Sequence, residues 1–385
     1  MRILSLIVIA QFCCTSVWFA GNAVMTDLVA HFGFSEDSIG HLTSAVQLGF
    51  ILGTLCFALL AVADRFSPSR VFLIAAVVAA LSNASGIWNG HGLTSLLLTR
   101  LITGFALAGI YPVGMKIAAD HFAGHLGRAL GWLVGALVLG TAFPHLVRAL
   151  GGQLDWSFVL LFTSALALTG GLLIGLGVPD GPHRKPGGRP DLTACFRVFR
   201  YPELRKAAIG YFGHMWELYT FWAFLPLLLV SYAQEKTIDY NISLLSFLII
   251  AAGGIACVTG GLMAERFGTK SIALATLSTS GICCLLCPLI FLYAPSPLWL
   301  FFLLIWGMVV VADSPLFSTL VAGAAPAEIK ATALTIVNCL GFSLTIVSIQ
   351  TVIWLAGDFE LWWVMPVLGV GPLVGVIGNW RSRVQ

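Results

Sequence analysis

Two loops of similar sequence decide the fold: LAVADRFSPSR at residues 60–70 and GLMAERFGTK at residues 261–270. Each contains an acid, an arginine and a phenylalanine in succession, Asp64-Arg65-Phe66 in the first and Glu265-Arg266-Phe267 in the second. Positions 64 and 265 are 201 residues apart in a chain of 385 residues. A repeat at about half the chain length predicts two halves of the same architecture.

The chain around these loops is strongly apolar. It is 58% hydrophobic and 10% charged, with a mean hydropathy of +0.95. A soluble domain carries about 25% charged residues, so the composition excludes that class and indicates a membrane protein. The first apolar run, from Ile3 to Ala30, is too long for a secretory signal peptide and has no clean small-residue cleavage site. We therefore expect it to be the first membrane span.

Twelve segments have the length and apolarity of membrane spans, which need about 20 mostly apolar residues. They cover residues 4–30, 40–63, 71–89, 93–118, 127–149, 156–178, 207–232, 241–264, 271–292, 298–323, 329–356 and 361–379. We predict an all-α membrane protein with a six-helix N-terminal half at residues 1–178 and a six-helix C-terminal half at residues 207–385. Between them, residues 179–206 form a cytoplasmic linker in which Leu192 to Arg200 could be a basic amphipathic surface helix.

Lysines and arginines set the orientation, because they concentrate on the cytoplasmic side of a membrane protein. With both termini inside, sixteen of the twenty fall in cytoplasmic segments. Arg148 and Lys236 fall on the outer side, and Arg100 and Lys116 remain within the membrane. The cytoplasmic set is Arg2, Arg65, Arg70, Arg128, Arg184, Lys185, Arg189, Arg197, Arg200, Arg205, Lys206, Arg266, Lys270, Lys330, Arg381 and Arg383. We expect a multi-pass protein of the cell inner membrane with cytoplasmic termini.

The two loops resemble the G-x-x-x-D-R-x-G-R-[KR] motif of the major facilitator superfamily of secondary transporters, which lies between spans 2 and 3 and recurs between spans 8 and 9. The second copy matches at Gly261, Glu265, Arg266, Gly268 and Lys270, with Glu in place of Asp. The first copy keeps Asp64 and Arg65 but lacks both glycines and the basic pair. The stretch RLITGFALAGIYPVGMKIAADHF at residues 100–122 is similar to the family's span 4.

The resemblance implies a gating role for the loop charges, which in the family pair across helix ends and hold one conformation of the transport cycle. An acid at a helix N-terminus is also favoured by the helix dipole. On this basis the candidate gating residues are Asp64, Arg65, Glu265 and Arg266, together with Asp27 near the outer end of span 1. The alternative is ordinary loop charge on the cytoplasmic side.

The resemblance also implies that spans 1, 4, 7 and 10 surround a central cavity. A charge inside the bilayer costs at least about 2.5 kcal/mol, and the polar residues predicted within the membrane concentrate on these four spans. They are Asn22 and Asp27 on span 1, Arg100 and Lys116 on span 4, His214 and Glu217 on span 7, and Asp313 on span 10. We therefore expect functional groups among them.

Three of these residues are candidates for proton coupling. At 1.5 Å per residue, Glu217 lies roughly 15 Å into span 7 and Asp313 roughly 20 Å from the outer end of span 10, both near mid-membrane. His214 is one helical turn from Glu217 and titrates near neutral pH, so the two could form a proton relay. The alternative is a polar cluster that ties helices together. The proline two residues after Asp313 could break span 10 beside the cavity.

Candidate substrate contacts lie on the same spans. The planar guanidinium of Arg100 suits a carboxylate or phosphate, although a salt bridge to Asp27 could occupy it instead. Lys116 lies nearer the cytoplasmic end, where its stem can reach the interface. The other candidates are Asn22, Trp18, Tyr111 and Tyr211, whose polar and aromatic groups could contact an organic substrate.

The leading hypothesis is a proton-coupled secondary transporter of a small polar organic solute. Mixed charges on the cavity spans leave the sign of the substrate open. The alternatives are an exporter of a toxic compound or metal complex, and a transporter-like sensor that moves nothing. Span 5 lacks the Gly-Pro pair of the family's drug antiporters, and no P-loop pattern for ATP is present. We expect no enzymatic activity, no cofactor, no resident metal and no nucleic-acid partner; the expected partners are the solute, protons and the lipid bilayer, around a monomer.

Overall fold

The computed structural model describes residues 2–35, 38–122, 126–152, 154–184, 199–326 and 329–380, without the side chains of residues 39, 126–128, 331 and 380. Most of the described residues are helical. The predicted surface helix at Leu192 to Arg200 lies outside the described residues, apart from two turn residues at its end. The side chains of Arg128, Lys185, Arg189, Arg197, Arg381 and Arg383 also lie outside them.

The chain divides into two compact units, residues 1–189 and residues 190–385. In the N-terminal unit the spans are helical as follows: Arg2–Thr15, Ala20–Ala23 and Met25–Phe32 form span 1, Ser38–Leu59 and Val62–Arg65 span 2, Pro68–Ser85 span 3, Leu93–Ala108 and Tyr111–His121 span 4, Leu126–Gly151 span 5, and Ser157–Gly177 span 6.

The C-terminal unit contains the other six spans. Pro202–Lys236 is span 7, Ile242–Phe267 span 8, Thr269–Tyr293 span 9, Ser296–Ala312 and Ser314–Ala324 span 10, Lys330–Ala356 span 11, and Leu361–Val364, the 3-10 helix Met365–Gly369 and Val370–Trp380 span 12. Within the described ranges, ten of these spans are long and apolar enough to cross a membrane. The other two are span 1, which is broken into short helices, and span 7. The prediction of an all-α membrane protein with twelve spans is confirmed.

Each unit has the same internal packing. In the N-terminal unit, span 2 packs along span 4, span 3 along span 6, and span 1 against spans 5 and 6. In the C-terminal unit, span 8 packs along span 10, span 9 along span 12, and span 7 against spans 11 and 12. Every one of these pairs recurs six spans later, so the repeat seen in the two loops extends to the helix packing of the units.

Glycines at equivalent positions permit this packing. Gly140 and Gly341 are 201 residues apart and hold span 5 close to span 1 and span 11 close to span 7, respectively. A Cβ on Gly140 would lie 2.5 Å from the carbonyl oxygen of Phe12, and one on Gly341 would lie 2.6 Å from the Tyr211 ring. Small residues are needed where helix backbones approach this closely in a membrane.

Spans 1, 4 and 10 are interrupted inside the membrane. Span 1 is not helical at residues 16–19. Span 4 is interrupted at Gly109 and Ile110, and span 10 is interrupted at Asp313. In spans 4 and 10 a proline, Pro112 or Pro315, occupies the second position of the following helix. The break that we expected beside Asp313 is therefore present, and it has an equivalent in the first repeat.

Substitution of Gly140 tests the close approach of spans 5 and 1. We expect Gly140→Ala to destabilise the protein by about 1–3 kcal/mol, because the added methyl group overpacks the contact with Phe12. Gly131→Ala on the same helix is the matched control, since a Cβ there meets nothing within 4 Å. Thermal unfolding of the purified variants in detergent measures both, and equal melting temperatures for the two variants would contradict the packing argument.

Candidate functional site

Arg100 lies at the break in span 1. It donates hydrogen bonds from Nη2 to the carbonyl oxygens of Trp18, at 2.8 Å, and Val17, at 3.3 Å. Arg100 is 6% exposed. Among the described residues, no carboxylate lies within salt-bridge distance of its guanidinium. The guanidinium thus supplies hydrogen bonds to backbone carbonyls that the interrupted helix leaves without its own donors.

Asn83 of span 3 holds the other side of the Arg100 guanidinium. Its Oδ1 accepts from Arg100 Nη1 at 3.1 Å. Its amide nitrogen donates to Leu160 O at 2.9 Å, to Thr163 Oγ1 at 3.1 Å and to Ser164 Oγ at 2.9 Å, all on span 6. Arg100 and Asn83 together join four spans of the N-terminal unit through hydrogen bonds.

The alternative salt bridge between Arg100 and Asp27 is not formed. Asp27 Oδ1 instead accepts from Arg148 Nη2 at 3.1 Å, near the C-terminal ends of spans 1 and 5. Asn22, also on span 1, donates to Thr43 Oγ1 of span 2 at 2.8 Å. The sequence suggested only Arg100 as a partner for Asp27, because position along the chain does not show that span 5 brings Arg148 within reach of it.

Lys116 lies near the C-terminal end of span 4 and pairs with the loop acid. Its Nζ is 2.9 Å from Asp64 Oδ1 and 3.7 Å from Asp120 Oδ1. Lys116, a candidate substrate contact, and Asp64, a candidate gating residue, form one ion pair in the N-terminal unit. The pair is partly exposed, so its charge is screened by solvent.

The stretch after span 6 binds the same loop. Arg184 donates to the carbonyl oxygens of Asp64, at 3.1 Å, and Phe66, at 2.8 Å. Arg184 Nη1 also contacts Asp180 Oδ2 at 2.6 Å, and Asp180 accepts from Ser67 at 2.6 Å. The first copy of the loop, which lacks its basic pair, is therefore held by Lys116 of span 4 and by Arg184, which follows span 6.

The remaining loop charges have few contacts. Arg65, Glu265 and Arg266 are exposed. The Arg266 guanidinium lies 5.2 Å from the ring centre of Phe267. The second copy of the motif matches the family pattern better than the first, but in the C-terminal unit its acid and arginine form no ion pair with each other among the described residues.

Glu217 of span 7 joins three helices of the C-terminal unit. Its Oε1 accepts hydrogen bonds from Ser280 Oγ at 2.5 Å, Trp306 Nε1 at 2.6 Å and Cys284 Sγ at 3.2 Å. Ser280 and Cys284 belong to span 9 and Trp306 to span 10. Glu217 is 1% exposed, so these donors replace the solvation that the carboxyl group loses.

His214 pairs with Asp313 rather than with Glu217. His214 Nδ1 lies 2.8 Å from Asp313 Oδ1, and the two side chains are 0% and 1% exposed. The two atoms are close but not aligned for a good hydrogen bond, and His214 Nε2 and Asp313 Oδ2 have no hydrogen-bond partner within the described ranges. The predicted pairing of His214 with Glu217 is thus replaced by a pair that joins span 7 to the break in span 10.

The break in span 10 frees backbone groups that neighbouring side chains satisfy. Proline at position 315 cannot donate to the carbonyl four residues earlier, which is Val311 O. Cys257 Sγ of span 8 donates to that oxygen at 3.3 Å. Asp313 immediately precedes the helix Ser314–Ala324, where the helix dipole favours a negative charge.

The aromatic candidates for substrate contact have neighbours within the unit to which each belongs. Trp18 is buried against Phe50 of span 2, with ring centres 4.9 Å apart. Tyr211 donates to Asn338 Oδ1 of span 11 at 2.9 Å. Tyr111 begins the second helix of span 4. Their roles in substrate contact stay predictions.

Several buried polar residues escaped the sequence reasoning, which searched for charges and aromatics. They are Gln11, Gln47, Asn83 and Ser280. A useful signal was available, because uncharged amides are also costly in an apolar span. Among the described residues, no group of three or more His, Cys, Asp or Glu could hold a metal ion.

Replacement of Arg100 tests its role at the break in span 1. We expect Arg100→Lys to lower the free energy of unfolding by about 1.5–3 kcal/mol. A lysine lacks the planar guanidinium and cannot donate to both carbonyls and to Asn83 at the same time. Arg148→Lys is the control, since the partly exposed pair with Asp27 contributes about 0–1 kcal/mol. Melting temperatures of the two variants give the comparison. A larger loss for Arg148→Lys would contradict the assignment.

Comparison with known proteins gives a family and a fold. The model of the family described as Major Facilitator Superfamily matches residues 7–349. A probable nitrate/nitrite antiporter, NarK1 of Thermus thermophilus, is 25% identical over 289 residues, which cover 71% of this chain and 63% of that protein. A putative metabolite transport protein of Haemophilus influenzae is 30% identical over 123 residues, which cover 29% of this chain and 28% of that protein. The matches thus span less than two thirds of the length of either relative.

Two solved transporter structures share the fold over almost their whole length. The xylose transporter XylE from E. coli, in an inward-open conformation, has a TM-score of 0.78 and 14% identity, with 99% of this chain and 95% of that chain covered. The nucleoside transporter NupG has a TM-score of 0.74 and 17% identity, with 100% and 99% covered. At these identities the likeness concerns the fold.

Proposed function

Because the chain belongs to the Major Facilitator Superfamily, we propose that it is a proton-coupled transporter of a small polar organic solute. As a multi-pass secondary transporter, it is not an enzyme. In our proposal the solute crosses by alternating access, in which the two repeats move as units around a site at mid-membrane. The positive-inside distribution supports a bacterial inner-membrane location with both termini in the cytoplasm.

The contact between His214 and Asp313 is the observation that carries the proposal. The two side chains are fully buried and their nearest atoms are 2.8 Å apart. The pair is neutral overall with one shared proton and negative with none, so gaining and losing one proton changes the charge of a buried site. In the hydrocarbon core such a change has a large effect on conformational preference. Asp313 also lies at a helix break, where a change in charge can act on the backbone.

Glu217 has a different role in this proposal. Three donors from spans 9 and 10 converge on a single carboxyl oxygen, an arrangement that holds the side chain in place. A group that exchanges protons during transport needs a partner that changes between states. We therefore assign Glu217 to holding spans 7, 9 and 10 together and proton transfer to His214 and Asp313.

The antiporter relative suggests a second candidate, exchange of nitrate or nitrite. A small anion needs a cation to bind it in the membrane. In the described part of the N-terminal unit, Arg100 is held by two carbonyls and Asn83, Lys116 by Asp64, and Arg148 by Asp27. This engagement favours an uncharged or zwitterionic solute. The alternative to this proposal is an exporter that removes a toxic compound or metal complex from the cell.

Charge-neutral variants test the coupling pair. In proteoliposomes with an imposed pH gradient, we expect Asp313→Asn and His214→Gln to lose at least tenfold in gradient-driven solute accumulation. Exchange of labelled for unlabelled solute should persist in Asp313→Asn, because exchange requires no net proton movement. A radiolabelled solute panel and a trapped pH dye measure the two activities together.

Glu217→Gln is the matched control for this experiment. It keeps an oxygen that can accept from Trp306, and we expect a lower melting temperature but retained coupling per folded protein. Wild-type accumulation in both Asp313→Asn and His214→Gln would refute the assignment of the pair. Loss of coupling confined to Glu217→Gln would transfer the role to that residue.

A further inference from the structure

We propose that the N-terminal unit binds an uncharged, hydroxyl-bearing part of the solute through the side-chain amides of Gln11 and Gln47. This inference rests on the proposed transport function and names the chemical class of the solute. Neither glutamine belongs to the ion pairs described above, and neither ties helices together by hydrogen bonds.

Both glutamines are buried without hydrogen-bond partners among the described residues. Each residue is 0% exposed, and neither the oxygen nor the nitrogen of its amide has a partner in that part of the chain. A buried amide with both ends unpaired is costly, and native proteins rarely contain one without a reason. Two within one compact unit indicate groups whose partner arrives from outside the chain.

Gln47 faces span 1. Thr43, Gln47, Phe50 and Thr54 follow one another at the spacing of a single helix face on span 2. Thr43 accepts a hydrogen bond from Asn22, and Phe50 packs against Trp18. Because Gln47 lies between these two contacts on the same face, its amide is directed toward the part of span 1 that follows the break.

Gln11 lies on the other side of the same break. It belongs to the helix Arg2–Thr15, whose last residue donates to its carbonyl oxygen at 2.8 Å. Its side-chain Oε1 occupies the space that a Cβ on Gly114 of span 4 would need. The two amides therefore flank the interrupted part of span 1, where Arg100 binds the backbone. Interrupted helices line substrate sites in several transporter folds.

The chemistry of an amide selects the ligand class. Each primary amide offers donors and an acceptor, so a partner must both accept and donate to satisfy it. Hydroxyl groups do both, whereas a small inorganic anion accepts but leaves the amide oxygen unpaired. Since the buried Arg100 and the partly exposed Lys116 are already engaged, the unit is suited to a polyhydroxyl solute. The glutamines are fully buried in this conformation, so the solute reaches them in another state of the transport cycle.

Removal of the amides should raise stability and abolish binding. We expect Gln11→Met and Gln47→Met to raise the melting temperature of the ligand-free protein by a few degrees, because an unpaired polar group is replaced by an apolar one of similar size. Asn83→Leu is the contrasting control, because its amide is fully used and its loss should lower the melting temperature. A lower melting temperature in both glutamine variants would show a structural role and overturn the proposal.

A thermal-shift panel tests the ligand class directly. The probes are myo-inositol and D-glucose as uncharged polyhydroxyl solutes, sodium nitrate and sodium lactate as anions, and glycine betaine as a zwitterion. We expect an uncharged probe to raise the wild-type melting temperature and to lose at least tenfold in apparent affinity in each glutamine variant. A response confined to the charged probes, no response to either uncharged probe, or an unchanged response in the variants would overturn it.

The binding test is independent of proton coupling. It uses purified protein in detergent without a pH gradient, so failure of the His214–Asp313 assignment leaves solute binding and its dependence on the glutamines intact. Conversely, proton coupling could depend on Asp313 while solute binding is unchanged in the Gln11 and Gln47 variants. That result would retain the proposed function and reject this inference.

Discussion

The hydrocarbon core of a membrane offers no hydrogen bonds, and this constraint organises both units. A helix that breaks within the core must find other partners for its freed backbone groups. At the break in span 1 Arg100 donates to the Trp18 carbonyl, and at the break in span 10 the Val311 carbonyl accepts from the Cys257 thiol and the Asp313 backbone N–H. A buried charge and a buried thiol thus stabilise irregular backbone. The close contact at Gly140 packs span 5 against Phe12 and Thr15, directly before the break in span 1.

The same constraint separates two kinds of buried polar residue. Glu217 receives three donors and Arg100 three acceptors, which suits residues that hold helices in place. His214, Asp313, Gln11 and Gln47 each keep at least one side-chain atom unpaired while fully buried. Groups of the second kind are the ones available to a proton or a solute, and they are the basis of both proposals.

Much of the fold could be predicted from the sequence, because repeated loops, apolar length and a proline after Asp313 are local signals. The partners of the polar side chains could not be predicted from the sequence. Helical spacing placed His214 beside Glu217, but the rotation of span 7 directs these residues to different neighbours on spans 9 and 10. Asp27 pairs with Arg148 rather than with Arg100, because position along the chain does not show which helices are neighbours. Gln11 and Gln47 were missed because an uncharged amide leaves no mark on a charge pattern.

Calorimetric measurement of proton linkage tests the central claim most directly. Binding of a solute that raises the melting temperature is titrated in two buffers with different ionisation enthalpies, and the difference in heat gives the number of protons exchanged per solute. The account predicts a nonzero number for the wild type and for Glu217→Gln, and none for Asp313→Asn. Proton exchange that is unchanged in Asp313→Asn would contradict the assignment of the buried His214–Asp313 pair.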